Sequence, residues 1–201
     1  MNRIDDPQLA FYLRHKAQID EWAALAPRAP SVADQFFTSI GDDLDGLASE
    51  LDPRAEPFRA LSGKLYSGGS YPKLFLVDPA WRRVPTKKQD AEDLLLGIGL
   101  EWNRGKTDFT TPQRCAYIGV WYNLDLVGEV KQKELKKAVA EAGKAAGQKF
   151  STKWYWLAYR EEPASGEYWG DLSPYRQQIA NSIRWMWKTF APALRSTIGR
   201  T

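Results

Sequence analysis

Two carboxylates, Asp78 and Glu101, are the residues of this sequence best suited to hold a metal ion. Asp78 follows the apolar run 73–77, and Glu101 ends the apolar run 94–101. Two neighbouring strands can bring such oxygen donors to one Mg²⁺, which needs few carboxylates because it keeps several of its waters. The sequence therefore allows a divergent Mg²⁺-dependent nuclease in which Asp78 and Glu101 are the metal ligands and the catalytic residues.

The residues after Glu101 argue against that chemistry. A nuclease of this kind also needs a lysine two positions after the glutamate, on the same face of the strand, to polarise water or phosphate. Trp102 and Asn103 stand there instead. Glu129-Val130-Lys131 has the required spacing, but it follows Gly128 and opens a helical pattern. We therefore expect a non-catalytic protein without a cofactor, and the magnesium nuclease remains the alternative.

Other catalytic classes lack the residues that they need. His15 is the only histidine and Cys115 the only cysteine of the chain. A histidine-based triad is then disfavoured, and zinc sites with several His or Cys ligands are excluded. Neither Gly-x-x-x-x-Gly-Lys-Ser/Thr nor Gly-x-Gly-x-x-Gly occurs, so no phosphate-binding loop is indicated.

Cations beside tryptophans form the second kind of candidate site. Such pairs can stack nucleic-acid bases and neutralise phosphates, or contact a protein partner. In the alternative interpretation each tryptophan lies in the core and its cations shield the ring edges. The candidates, near Trp81 and after Glu101, are Arg82, Arg83, Lys87, Lys88, Trp102, Arg104 and Lys106.

Hydrophobic periodicity predicts the elements that position these residues. Residues 7–26 and 31–51 read as two helices, which we expect to form an antiparallel pair joined by Pro27 and Pro30. Period-two runs at 64–66, 71–77, 94–102, 115–123 and 152–160 predict strands, and 130–146 and the segment from 173 predict helices, with Pro192 kinking or shortening the last one. The fold class is α+β: a mostly antiparallel sheet of four to five strands with a helical pair N-terminal and helices packed on the sheet.

Charge divides the chain unevenly although we expect a single domain over residues 1–201. Residues 1–60 carry six Lys and Arg against eleven Asp and Glu, whereas residues 61–201 carry 22 against 14. This acidic helical pair and basic sheet-and-helix body fit nucleic-acid contact by the body. They fit equally well a head that packs on the body or that only adjusts solubility.

The sequence also predicts the compartment. A single cysteine excludes an intramolecular disulfide, and no apolar leader or run of 18 apolar residues is present. We expect a cytoplasmic protein with no membrane contact. Its oligomeric state stays open.

The second half of the chain resembles a domain of unknown function. The resemblance rests on Tyr117-Ile118-Gly119-Val120-Trp121-Tyr122, a Lys/Glu-rich helix, a Trp-rich strand and a helix that ends Phe190-Ala191-Pro192-Ala193-Leu194. That domain lies at the C-terminal end of predicted bacterial PD-(D/E)xK nucleases and restriction-associated proteins, and the similar region is 92–198. A nuclease core precedes it there, whereas this chain has no complete catalytic triplet. The resemblance implies an accessory module that binds nucleic acid or a protein partner in defence against foreign DNA.

Overall fold

The computed structural model describes residues 6–61, 70–82, 94–107, 109, 115–153, 155–164 and 170–199. Its helices are α1 (Pro7–Leu25), α2 (Ala29–Ser39), α3 (Leu44–Leu51), α4 (Glu129–Ala145) and α5 (Ser173–Ile198). Its strands are β1 (Glu56–Ala60), β2 (Lys73–Val77), β3 (Leu96–Glu101), β4 (Ala116–Tyr122), β5 (Ser151–Lys153) and β6 (Trp156–Glu162). None of the described helices combines the length and apolar character needed to cross a bilayer.

The strands form one antiparallel sheet in the order β1-β2-β3-β4-β6-β5. The α+β class is confirmed, but six strands exceed the predicted four to five. Strand β1 was not predicted because it contains Pro57, which a strand tolerates at the edge of a sheet. The predicted strand 152–160 is a hairpin of β5 and β6, and the predicted strand 64–66 lies outside the described residues.

Helix α5 covers the middle of the sheet on one face. The apolar stripe predicted for it is entirely buried, and Trp187 packs against Trp81 with the ring centroids 5.3 Å apart. The helix continues past Pro192 to Ile198, so the prediction that proline shortens it is wrong. The buried stripe consists of Tyr175, Ile179, Ile183, Met186, Trp187, Phe190 and Leu194.

The predicted antiparallel pairing of α1 with the next helix is not formed. No side chain of α1 is buried, and Trp22 is 65% exposed. The backbone keeps helical dihedral angles from Leu25 to Ala29, so the chain does not reverse there. Pro27 and Pro30 each lie in the first turn of a helical segment, where the missing N–H costs nothing.

Helices α2 and α3 instead join the core, and carboxylates of the segment 34–56 pair with arginines outside the acidic head. Among the described residues the connecting ion pairs are Asp34–Arg104, Asp43–Arg176, Glu50–Arg184, Asp52–Arg195 and Glu56–Arg82. Phe37 and Leu44 are fully buried in the same core as the sheet residue Leu74. The charge asymmetry of the sequence therefore serves, at least in part, to hold the head on the body.

Candidate functional site

Asp78 and Glu101, the predicted metal ligands, do not meet. Strand register places Glu101 opposite Lys73 at one end of β2, while Asp78 follows the other end of that strand. At about 3.4 Å per strand residue they are separated by about 17 Å along the strand. Lys73 and Asp78 also differ by an odd number of positions, so their side chains leave opposite faces of the sheet.

Each of these carboxylates has its own partner. Asp78 is 3% exposed, accepts the N–H of Ala80 at the start of a short 3₁₀ turn, and pairs with Nε of Arg195 at 2.5 Å. Glu101 is 2% exposed, and its Oε2 lies 2.5 Å from Nζ of Lys73. These two residues therefore do not make a shared magnesium site in the described structure.

Trp102 and Arg104, predicted to contact a ligand, connect the end of β3 to helix α2. The indole Nε1–H of Trp102 and Nε–H of Arg104 both donate to Oδ1 of Asp34, at 2.8 and 2.9 Å. Arg104 also donates to the carbonyl oxygen of Leu61. Trp102 is fully buried, so its ring faces are covered by the protein. The interpretation that the tryptophan belongs to the core is correct at this position.

Arg82 and Lys106, the other predicted cations that the structure describes, lie apart on the surface. Arg82 pairs with Glu56 at 3.3 Å and lies 5.8 Å from the ring centroid of Phe58. Lys106 is exposed in the turn after β3. The side chains of Arg83, Lys87 and Lys88 lie outside the described residues.

A different site forms around Glu101, which sequence reasoning did not foresee. A cavity of about 310 Å³, which we call the tyrosine pocket, opens beside this residue, and no described helix contributes to its wall. Its volume lies at the lower end of the range of about 300 to 1,000 Å³ that is usual for ligand sites. The tyrosine pocket is lined by Tyr71, Glu101, Asn103, Tyr117, Lys153, Tyr155, Trp156 and Tyr159.

Four strands or strand ends bring these rings together. Tyr117 lies opposite Glu101 on β4, and its ring meets that of Tyr159 on β6, 5.8 Å away. Tyr155 and Trp156 come from the β5–β6 hairpin, and their rings are 6.2 Å apart. The hairpin breaks the alternation predicted for 152–160, which had placed Trp156 on the face opposite to Tyr155 and Tyr159.

Glycines allow the strands beneath the pocket to approach closely. Gly99 on β3 pairs with Gly119 on β4. A Cβ atom at Gly99 would overlap the carbonyl oxygen of Leu74, and one at Gly119 would overlap that of Ala158. The close approach is therefore that of neighbouring strand backbones, and only glycine permits it.

A buried ion pair forms the floor of the pocket. Burial lowers the pKa of Lys73 to about 8, although the nearby carboxylate of Glu101 opposes that shift. Burial likewise raises the pKa of Glu101, against the attraction of Lys73. Because Lys73 is 1% exposed, this pair is shielded from water and from salt.

Hydrogen bonds fix the rings around this floor. The hydroxyl of Tyr155 donates to Oε1 of Glu101 at 3.3 Å, and Nδ2 of Asn103 donates to the hydroxyl oxygen of Tyr71 at 3.1 Å. Burial raises the pKa of Tyr155 and raises that of Tyr117 to about 12. These two hydroxyls therefore stay protonated at neutral pH and present polar O–H groups beside the flat rings.

No protein-family model, curated protein or solved structure matches the chain.

Proposed function

We propose that this protein is a non-catalytic interaction module that binds single-stranded nucleic acid and accepts an unpaired base in the tyrosine pocket. The observation that carries the proposal is the convergence of four tyrosines and Trp156 on one cavity. Aromatic side chains stack on nucleobases, and each stacked base contributes about 1–3 kcal/mol. Tyrosine suits this task because it is flat, stiff and polar at its tip.

The charges of the pocket favour a base over a cationic ligand. Aromatic cages that hold quaternary ammonium groups rely on negative ring faces, usually with net negative charge nearby. In this pocket the carboxylate of Glu101 is already paired with Lys73. Lys153, an exposed residue of the edge strand β5, adds a cation to the wall. A neutral base whose phosphate lies towards Lys153 matches this arrangement.

Polar groups in the wall suit the edges of an unstacked base. Asn103 presents a side-chain amide, a group that pairs with the donor and acceptor atoms of bases. Tyr155 and Tyr117 add hydroxyls that remain protonated. Recognition of single-stranded nucleic acid typically combines such edge contacts with stacking.

A binding role rather than a catalytic one is supported by the engagement of the two candidate carboxylates. Asp78 pairs with Arg195 and Glu101 with Lys73, and the two lie on opposite faces of the sheet. Nucleic acid is also one of the two partner classes, with a protein partner as the other, that the resemblance of residues 92–198 implies. We accordingly place the protein, as part of the same proposal, in the bacterial cytoplasm and in defence against foreign DNA.

Fluorescence anisotropy with a labelled single-stranded oligonucleotide at low salt tests the proposal. The wild-type chain should bind, with an affinity that falls as salt rises because phosphate contacts release counterions. Y71L and Y159L keep apolar bulk but lose the stacking face, so each should bind about tenfold more weakly. Y159F keeps the ring and should bind like the wild type.

The matched control is Y12L, because Tyr12 lies on α1 and does not line the pocket. This variant should bind normally. No binding by the wild type at low salt, or equal binding by Y71L, Y159L and the wild type, would overturn the proposal. Cleavage of the oligonucleotide with Mg²⁺ that disappears in E101Q would replace it with the nuclease alternative.

A further inference from the structure

A second cavity, which we call the α4 groove, lies between helix α4 and the β5–β6 hairpin. Its walls come from the segments 136–144, 147–152 and 156–158. Its volume of about 830 Å³ falls in the upper part of the range of about 300 to 1,000 Å³ that is usual for ligand sites. The helical positions in the wall recur at intervals of three and four, so they form one stripe along the side of α4. At 1.5 Å per residue this stripe is about 12 Å long, which makes the groove elongated.

The floor of the α4 groove is apolar and continuous with the core. Val139 of α4 and Leu157 of β6 are both buried there. The ring of Phe150 lies 5.4 Å from that of Trp185 and 5.3 Å from that of Phe190, so α5 supports the floor from behind. Such a floor favours an apolar ligand, because every methylene group that enters it leaves water.

A sharp turn after α4 places two lysines at the same end of the groove. Gly147 has a φ of 69°, a conformation that glycine adopts readily at the end of a helix. Its N–H donates to the carbonyl oxygen of Lys144, and the N–H of Gln148 donates to that of Gly143, each at 3.0 Å. The chain therefore folds back beside the last turn of the helix, where Lys149 joins Lys144 in the wall.

The described wall contains cations and no carboxylate. Lys136, Lys144 and Lys149 are exposed, and none of the three forms an ion pair with a described residue. Lys137, which does not line the groove, pairs with Glu141 at 3.9 Å instead. Lysine can cover an apolar ligand with its methylene stem while its ammonium group reaches an anion. The wall thus combines an apolar floor with positive charge at the rim.

We infer that the α4 groove binds the anion of a free linear fatty acid. The acyl chain lies along α4 on the apolar floor, and the carboxylate lies between Lys144 and Lys149. The length of the groove matches a linear chain, and the uncompensated charge of the rim selects an anionic headgroup. The tyrosine pocket shares only Trp156 with this groove, so the inference stands independently of the proposed function.

Isothermal titration calorimetry with sodium decanoate, below the concentration at which it forms micelles, tests the inference. The wild-type chain should bind decanoate saturably. Octanoate, which is two methylenes shorter, should bind about tenfold more weakly, because each buried methylene contributes about fourfold in affinity. K144Q/K149Q should also bind decanoate about tenfold more weakly, because the variant keeps the side-chain length but lacks the charges. The matched control K106Q/K133Q loses the same charge at exposed positions outside the groove and should bind like the wild type.

Decan-1-ol separates the headgroup from the chain. It lacks a charge, so it should bind more weakly than decanoate, and the wild type and K144Q/K149Q should bind it equally. A140W fills the groove from an exposed position of α4 and should abolish binding of decanoate. A145W, at an exposed position of the same helix outside the groove, should bind normally.

Three outcomes would overturn the inference. The first is the absence of saturable binding of decanoate by the wild type. The second is equal binding of decanoate by A140W, K144Q/K149Q and the wild type. The third is binding to vesicles of anionic phospholipid without binding of decanoate, which would assign the lysines to a membrane surface. Y71L and Y159L should bind decanoate normally, so the outcome for this groove is read separately from that for the tyrosine pocket.

Discussion

Breaking the ion pair beneath the tyrosine pocket should destabilise the fold strongly. Lys73 and Glu101 are 1% and 2% exposed, so K73M leaves a carboxylate that water does not reach. Removing one partner of a buried pair costs about 3–5 kcal/mol. A domain of ordinary stability has only about 5–15 kcal/mol to lose, so the free energy of unfolding should fall by a large fraction.

The double variant K73M/E101Q separates the charge from the loss of packing. Replacing both ions removes the buried charge and keeps an acceptor for the hydroxyl of Tyr155, so most of the loss should be recovered. Acidification should also rescue K73M. Burial raises the pKa of Glu101 above its ordinary value of 4.5, and K73M removes the strongest influence that opposes this rise. The folded state of K73M then binds a proton more tightly than the unfolded state, so its stability falls as pH rises above 4.5.

Urea unfolding followed by tryptophan fluorescence measures these free energies at pH 4.5 and pH 7.5. The deficit of K73M relative to the wild type should be larger at the higher pH, and K73M/E101Q should not show this increase. A loss below about 1 kcal/mol at pH 7.5, the value typical of exposed pairs, would refute the reasoning because it would mean that water reaches the pair.

Three further predictions follow from contacts near the sheet. G99A places a methyl group against the backbone of the neighbouring strand, so its free energy of unfolding in urea should fall by about 1–3 kcal/mol. The control G46A lies at an exposed helical position with open space around it, and its free energy of unfolding should rise by up to about 1 kcal/mol. Equal effects of the two substitutions would contradict the close approach of the strands. R195M leaves Asp78 buried without its cation and should cost about 3 kcal/mol, measured in the same way; a neutral result would mean that the carboxylate is solvated. Burial lowers the pKa of Lys73 from 10.5 to about 8, so between pH 8 and pH 10.5 the unfolded state binds more protons than the folded state. The free energy of unfolding of the wild type should therefore rise over this pH range relative to that of K73M/E101Q. A difference between the two proteins that does not change with pH would contradict the lowered pKa.

Hydrophobic periodicity correctly predicted the elements whose buried residues all lie on one face of a single continuous segment. The stripe of α5 from Tyr175 to Leu194 is an example, since its seven predicted residues are all buried. The α+β class follows from the same kind of pattern. Pro27 and Pro30 misled the prediction of a helical hairpin, because proline in the first turn of a helix permits the chain to continue in the same direction.

Hydrophobic periodicity could not predict the tyrosine pocket, because the pocket depends on the register between strands that are distant in the sequence. Alternation alone places Tyr71 and Lys73 on one face of their segment. It does not set Lys73 opposite Glu101 or Glu101 opposite Tyr117, since that pairing joins segments separated by loops. The hairpin turn between β5 and β6 then adds Tyr155 to the site, and a continuous-strand reading of 152–160 hides that turn.

The predicted ligand-binding cations show a related limit. A tryptophan close to an arginine in the sequence gives the same pattern whether the two residues bind a ligand or connect two secondary-structure elements. Asp34, the residue that decides this for Trp102 and Arg104, lies in helix α2, far away in the sequence. Only the tertiary fold reveals that this carboxylate satisfies both donors.

The central claim, that a nucleic-acid base enters the tyrosine pocket, is tested most directly by ¹⁹F NMR of the chain labelled with 3-fluorotyrosine. Tyrosine-to-phenylalanine variants assign the resonances, and a single-stranded oligonucleotide is then added. The account predicts that the signals of Tyr71, Tyr117, Tyr155 and Tyr159 shift, while those of Tyr12 on α1 and of the fully buried Tyr175 stay in place. Unchanged pocket signals at saturating oligonucleotide, or shifts confined to tyrosines outside the pocket, would contradict it.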